Sequence, residues 1–344
     1  MDLDALRAGD RRALARAITL IESTRESDRR AAEKLLREAM PHTGGALRIG
    51  ITGAPGVGKS TFIEAFGAHA LRHGKRVAVL AVDPSAARDG EGDGEGRGGA
   101  ILGDKTRMQK LAADSRAFIR PSPAGGAPGG VARRTQETVL LCEAAGFDSV
   151  IVETVGVGQS ETQVAALTDV FILLLSPAGG DDLQGIKRGV MELADIVVVN
   201  KADGELRDAA TRAAADIRHA LNLLRPRLAG WSTPVVLASA LAGRGVDEAW
   251  ERVGEYRALL ESGGEMQSRR RRQARAWLWH ETREMLLAKL RADRAVGDAL
   301  EDALSEVGDG KLPAAVAARA LVATFMRAAS TATSTVKATS ETTA

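Results

Sequence analysis

The stretch Gly53-Ala54-Pro55-Gly56-Val57-Gly58-Lys59-Ser60-Thr61 constrains this chain more than any other part of it. It fits G-x-x-x-x-G-K-[ST]. It stands between the apolar run Leu47 to Thr52, which reads as a buried strand, and Phe62 to His73, which reads as a helix. Glycine-rich turns also join strands to helices without any ligand, but strand, loop and helix in this order are the setting that phosphate binding requires. Gly53, Gly56 and Gly58 let the backbone bend so that successive N–H groups converge on phosphate oxygens. Lys59 adds a point charge against the β- and γ-phosphates, Ser60 offers a hydroxyl to Mg²⁺, and the helix N-terminus contributes its positive end. A chain with this element is expected to bind a nucleoside triphosphate.

The rest of the pattern supports the fold that such an element needs. Arg76 to Val82, Ser149 to Val152, Val170 to Leu175, Ile196 to Val199 and Val235 to Leu237 are short apolar runs without alternation, as in strands covered on both faces. Helical segments separate them. The expected class is α/β: a doubly wound, mostly parallel sheet with a P-loop core, ligands at the carboxyl ends of its strands, and helical extensions at both ends. The boundaries read as a helical extension over 1–44, the nucleotide domain over 45–262, a helical arm over 263–329 and a disordered Ser/Thr/Ala-rich tail over 330–344. In the first extension Leu14, Ile18 and Ile21 share a face. In the arm Ala276, Trp279, Leu286 and Leu290 do so, with a break expected near Gly297 before Leu300, Leu304 and Val307.

Composition mainly excludes. A net charge of +2 makes no electrostatic case for nucleic acid or a membrane surface. One cysteine, Cys142, rules out an intramolecular disulfide and a cysteine metal cluster, and its apolar setting makes it a small buried hydrophobe. With no apolar run of membrane-spanning length and an acidic N-terminus, a cytoplasmic location is expected.

Asn200-Lys201-Ala202-Asp203, directly after the strand Ile196 to Val199, matches the N-K-x-D element that reads guanine. The Asp203 carboxylate can accept from guanine N1–H and its exocyclic amine, a pair of donors adenine lacks. Ser239-Ala240, after Val235 to Leu237, is placed like the loop supporting the guanine oxygen. GTP is therefore expected rather than ATP. Candidate Mg²⁺ ligands are Ser60 and three acids at strand ends or in loops: Asp83, Asp104 and Glu153. Glu153-Thr154-Val155-Gly156 occupies the place of the γ-phosphate-sensing D-x-x-G element, and Gln159 just beyond it is a candidate for orienting water.

Three long strings carry a resemblance. Ile101-Leu102-Gly103-Asp104-Lys105-Thr106-Arg107-Met108, Val152 to Glu161 and Leu183-Gln184-Gly185-Ile186-Lys187-Arg188-Gly189 resemble the MeaB/ArgK family. The resemblance implies a SIMIBI-class P-loop GTPase that binds GTP or GDP with Mg²⁺. It would serve as chaperone to an adenosylcobalamin-dependent acyl-CoA mutase, chiefly methylmalonyl-CoA mutase, gating cofactor delivery and protecting the mutase. It assigns no cobalamin site to this chain itself and implies a homodimer. By position, it implies that Gly53 to Thr61 hold the phosphates and that Ser60, Asp83, Asp104 and Glu153 arrange Mg²⁺. Asn200, Lys201 and Asp203 would read guanine. Residues 181–188 match a family switch, in which Lys187 would bring charge to the phosphates as an arginine finger does.

The chain also departs from the family pattern. Ala86 stands where the family has a serine, residues 90–97 read as a glycine-acidic insertion, and Ala124 to Pro128 and Ser176 to Asp182 replace family segments. Nucleotide binding should tolerate these changes, which bear on hydrolysis and partner response. Alternative readings are a nucleotide-dependent regulator of amino-acid transport, opposed by Asn200 to Asp203, and a metal-delivery GTPase. His69 and His73 are spaced like metal ligands but lack a third donor, so they read as surface residues. Arg269 to Arg272 reads as a solvated helix start, and Trp277 and Trp279 as packing or dimer surface.

Overall fold

The computed structural model describes residues 2–23, 25–82, 108–120, 130–154, 160–177 and 188–341. The chain divides into two compact units, Met1–Gln273 and Ala274–Ala344.

The first unit is built on one sheet of β1 (Leu47–Gly53), β2 (Val77–Val82), β3 (Ala117–Arg120), β4 (Ser149–Thr154), β5 (Val170–Leu175), β6 (Ile196–Val199) and β7 (Val235–Leu237). The order is β3-β2-β4-β1-β5-β6-β7 and every pairing is parallel. This is the α/β class expected. Its helices are α1 (Leu3–Arg7), α2 (Arg11–Glu22), α3 (Glu26–Ala39), α4 (Lys59–Arg72), α5 (Gln109–Ala113), α6 (Gly130–Ala144), α7 (Ser160–Leu167), α8 (Arg188–Met191), α9 (Arg207–Leu221) and α10 (Val246–Ser262). The start of α11 (Glu265–Ala292) also belongs to it.

Alternation along β1 divides the core. Ile49 and Ile51 meet Phe62, Ile63 and Phe66 of α4 on one face. On the other, Val150 and Val152 of β4 pack with Val164 of α7 and with Leu14, Ile18 and Ile21 of α2. Asp10 caps α2 by accepting from Arg12 N at 2.6 Å and Ala13 N at 3.2 Å. β3 was not anticipated from the sequence: four residues, Ala-Phe-Ile-Arg, at a sheet edge give too little pattern to read.

The arginine run corrects a second expectation. Arg269 is 9% exposed and donates to Tyr256 Oη at 2.8 Å and to the Asp169 carbonyl. Arg270 pairs with the fully buried Asp169 at 2.6 Å and donates to the carbonyls of Gly44 at 2.6 Å and Ala46 at 2.7 Å. Gln273 adds a bond to Thr168 O at 2.8 Å. Arg271 and Arg272 are the exposed members. The start of α11 is therefore fastened to the segments that enter β1 and β5. Beside it, buried Asp195 accepts from Tyr256 Oη at 2.6 Å and Phe171 N at 2.9 Å, while burial itself raises the carboxyl pKa.

The second unit contains the rest of α11 with α12 (Arg294–Gly308) and α13 (Ala314–Glu341). The helical break falls at Asp293, not near Gly297. Asp293 caps α12 by accepting from Ala295 N at 3.0 Å and Val296 N at 3.3 Å, so Gly297 lies inside the helix. α13 continues through the segment from Ser330 to Glu341, where composition favoured disorder; its alanines favour helix. Among the described residues no helix is long and apolar enough to cross a membrane.

Candidate nucleotide site

β1 ends in the glycine loop because its last residues cannot carry side chains there. Gly53 has φ of 157°, and a Cβ on it would stand 2.5 Å from Leu174 O of β5. Gly58, at φ of 91°, caps α4, and a Cβ there would stand 2.7 Å from Asn200 Nδ2. Only glycine satisfies both the left-handed backbone and the close approach at Gly58. Pro55 and Gly56 are exposed at the tip, Val57 is buried at 2%, Ala54 and Ser60 are half-buried, and Thr61 is exposed. The loop thus opens on the carboxyl edge of the sheet beside the N-terminus of α4, a cradle that fits phosphate.

Lys59 Nζ donates to Gly53 O at 2.7 Å and Ala54 O at 3.1 Å. Burial lowers the pKa of its ammonium, and the carboxylates of Glu153 and Glu161 act in the opposite sense. Glu153, 7% exposed near the end of β4, brings Oε1 to 3.5 Å from Ser60 Oγ. Two hard oxygen donors meeting at the phosphate cradle fit Mg²⁺. Glu161, 5% exposed in the first turn of α7, was not among the residues expected at the site; its burial is a tertiary property with no local signature. Asp83, Asp104, Gly156, Gln159 and Lys187 lie outside the described residues.

The segment expected to read the base is tied directly to the glycine loop. Asn200, 2% exposed, donates from Nδ2 to Val57 O at 2.9 Å and accepts at Oδ1 from Ala240 N at 3.1 Å. Lys201, at φ of 60°, donates from Nζ to Gly56 O at 2.7 Å. Ala202 N donates to Ala238 O at 2.9 Å, and Asp203 stands half-buried at the following turn. Ser239 is buried and paired with Arg244 through both backbone bonds, while its Oγ accepts from Ala242 N at 3.2 Å. A Cβ on Gly245 would stand 2.1 Å from Leu237 O, so this loop closes only with glycine there. Asn200, Lys201, Ser239 and Ala240 are thereby gathered with Val57 and Gly56.

The remaining candidates stay apart from the site's chemistry. His69 and His73 stack at 4.4 Å, and among the described residues no group of three or more His, Cys, Asp or Glu could hold a metal. Cys142 is fully buried, which pushes its thiol pKa far up and leaves it unreactive.

Comparison with known proteins follows the same lines. Residues 14–295 match the family model described as methylmalonyl Co-A mutase-associated GTPase MeaB. A putative GTPase of Caulobacter vibrioides is 51% identical over 329 residues, covering 94% of this chain and 98% of the relative. GTPase ArgK of Escherichia coli is 48% identical over 288 residues, covering 84% and 85% respectively. The mouse methylmalonic aciduria type A homolog, a mitochondrial protein, is 42% identical over 327 residues, covering 92% of this chain and 77% of the relative. A solved structure described as a LAO/AO transport system kinase superposes with a TM-score of 0.75 at 39% identity, covering 93% of this chain and 95% of that one.

Proposed function

The chain belongs to the MeaB family of GTPases, and we propose that it acts as a GTP-driven chaperone of an adenosylcobalamin-dependent acyl-CoA mutase, chiefly methylmalonyl-CoA mutase. The observation that carries this reading is the family match over residues 14–295, together with a phosphate loop and a guanine-type loop bonded to one another. GTP is the substrate; the phosphates would lie along Gly53 to Thr61, with guanine at Asn200 to Asp203 and Ser239-Ala240. Asp203 would distinguish guanine from adenine through its carboxylate.

Ser60 and Glu153 would hold Mg²⁺, joined by Asp83 and Asp104 as the family resemblance implies. Bound Mg²⁺ supplies charge to the phosphate oxygens. Lys59 would leave the carbonyls of Gly53 and Ala54 for the β- and γ-phosphates. Positioning and charge stabilisation supply nearly all phosphoryl-transfer catalysis, so turnover by the chain alone would be slow. Completion by the docked mutase would bring Lys187 to the phosphates and Gln159 to the attacking water. Cobalamin would stay with the mutase, and the cytoplasm would be the site of action. Exposed Leu278, Trp279 and Leu286 in the second unit support a homodimer through that arm.

The test is GTP hydrolysis by the purified protein with and without methylmalonyl-CoA mutase, with ATP as control. Stimulation specific to GTP is expected. GTP turnover indifferent to that mutase would refute it as the client, and turnover of ATP equal to that of GTP would refute the base assignment.

A further inference from the structure

In an open parallel sheet the crevice that receives a ligand lies at the carboxyl edge, between neighbouring strands whose following helices take opposite faces. Here those strands are β1 and β4. The helix after β1, α4, covers the face that carries Ile49 and Ile51, and the helix after β4, α7, covers the face that carries Val150 and Val152. The two strands pair in register from Leu47 with Ser149 to Ile51 with Glu153. Each then stays longer with its other neighbour. β1 follows β5 as far as Gly53 with Leu174, and β4 follows β2 as far as Val82 with Thr154. The backbone ladder between β1 and β4 thus ends just before the glycine loop begins.

A side-chain bond crosses the seam at that point. Thr52 Oγ1 and Thr154 Oγ1 lie 2.7 Å apart, one hydroxyl donating and the other accepting. The two residues are 1% and 0% exposed. Alternation sets Thr154 on the face of Val150 and Val152. It sets Thr52 on the face of Gly50, where a Cβ would stand 3.0 Å from Val164 Cγ1 of α7. Both hydroxyls therefore stand on the α7 face, across the sheet from α4. Valine has the same shape and would serve packing at either position. A hydroxyl withdrawn from water costs stability unless it is bonded, so what the pair adds is direction: a bond that fixes one strand end against the other.

We propose that Thr52 and Thr154 are positioning residues of the GTPase site, a clasp that sets the distance between the phosphate loop and the end of β4. Thr52 immediately precedes Gly53, and Thr154 immediately follows Glu153. Groups that serve the phosphates from β1 and from β4 are held by the clasp in one alignment. Nucleotide binding draws on the glycine loop and the base loop, which are bonded to one another without the threonines. Hydrolysis also needs the two strand ends aligned, so it should suffer more than affinity when the clasp is opened.

The inference rests on the assignment of Gly53 to Thr61 to the phosphates, and the experiment separates the two. Thr52→Val, Thr154→Val, the double valine variant, Thr154→Ser and Lys59→Ala are compared with the unaltered full chain. The measurements are GDP and GTP affinity by calorimetry, single-turnover GTP hydrolysis, and thermal unfolding without nucleotide. Each single valine variant is expected to slow hydrolysis about tenfold while GDP affinity stays within about threefold. Each also leaves one buried hydroxyl without its partner and should lower the melting temperature. The double variant removes both hydroxyls, so its melting temperature should recover while its hydrolysis stays slow. Thr154→Ser, which keeps the hydroxyl, is expected to recover most of the rate. Hydrolysis unchanged in the single valine variants overturns the proposal. So does a rate that recovers with the melting temperature in the double variant, which marks a packing role, and so does a GDP affinity that falls as far as the rate. If Lys59→Ala keeps full GTP affinity, the phosphate-loop assignment itself fails, whatever the threonine variants do.

Discussion

Replacing Asn200 by Ala should unfasten the phosphate loop from the base loop. The side chain is 2% exposed and spans two elements, donating to Val57 O at 2.9 Å and accepting from Ala240 N at 3.1 Å. Only one orientation of the amide satisfies both partners, since a flip would set oxygen against oxygen at Val57. Alanine leaves a buried carbonyl and a buried N–H without these bonds, each costing about 1–3 kcal/mol. The expected loss of stability is about 2–5 kcal/mol, the lower end applying if water enters the space left by the amide.

The same change frees Gly58 and Val57 from their neighbour, so nucleotide binding must re-order them, and GTP affinity should fall at least about tenfold, or 1.4 kcal/mol. Urea unfolding of the first unit, followed by the fluorescence of Trp231 and Trp250, measures the first quantity; calorimetry measures the second. Asn200→Asp sharpens the test. It keeps an acceptor for Ala240 N but places a carboxylate oxygen against Val57 O, so it should be no milder than Ala. A loss below about 1 kcal/mol in Asn200→Ala, or full rescue by Asp, would refute the fastening argument.

Asp203→Asn should weaken GTP binding while xanthosine triphosphate, whose base presents the complementary hydrogen-bonding edge, is retained; competition binding reads the ratio. Arg270→Ala leaves the buried Asp169 carboxylate without its guanidinium, and chemical denaturation should show a loss of about 3–5 kcal/mol. Asp114, whose pKa is lowered to about 2 by its hydrogen bonds with Arg116, stabilises the fold above the ordinary carboxylate pKa of 3.8. That stability disappears as the pH falls to about 2, so Asp114→Asn should flatten the acid limb of a stability–pH profile over that window.

What could be read in the sequence was local. Gly53 to Thr61 and Asn200 to Asp203 stand out because each is a contiguous segment, a glycine loop in the first and neighbouring side chains in the second, and strands such as Val170 to Leu175 because both faces are covered. Glu161 could not be read, since its burial is a tertiary property of α7, whose Val164 and Thr168 lie close to Gly50, over a hundred residues away. Arg269 and Arg270 were misread for a related reason. A run of arginines looks solvated until Asp169, Tyr256 and the carbonyls of Gly44 and Ala46 are folded beneath it. The break before α12 was displaced because a capping aspartate, Asp293, outweighs a nearby glycine in ending and restarting a helix.

The bond from Asn200 to Val57 joins residues 143 apart in the chain, and that from Ala240 closes the loop further on. As the polypeptide leaves the ribosome, the glycine loop emerges long before the residues that brace it. The site is finished only after β7 and the turn through Gly245 have joined the sheet. Nucleotide that binds only the finished arrangement acts as a ligand of completed folding, adding about 2.7 kcal/mol when present at a hundred times its dissociation constant. A guanine nucleotide pool would then favour whole chains over truncated ones, before any partner is met.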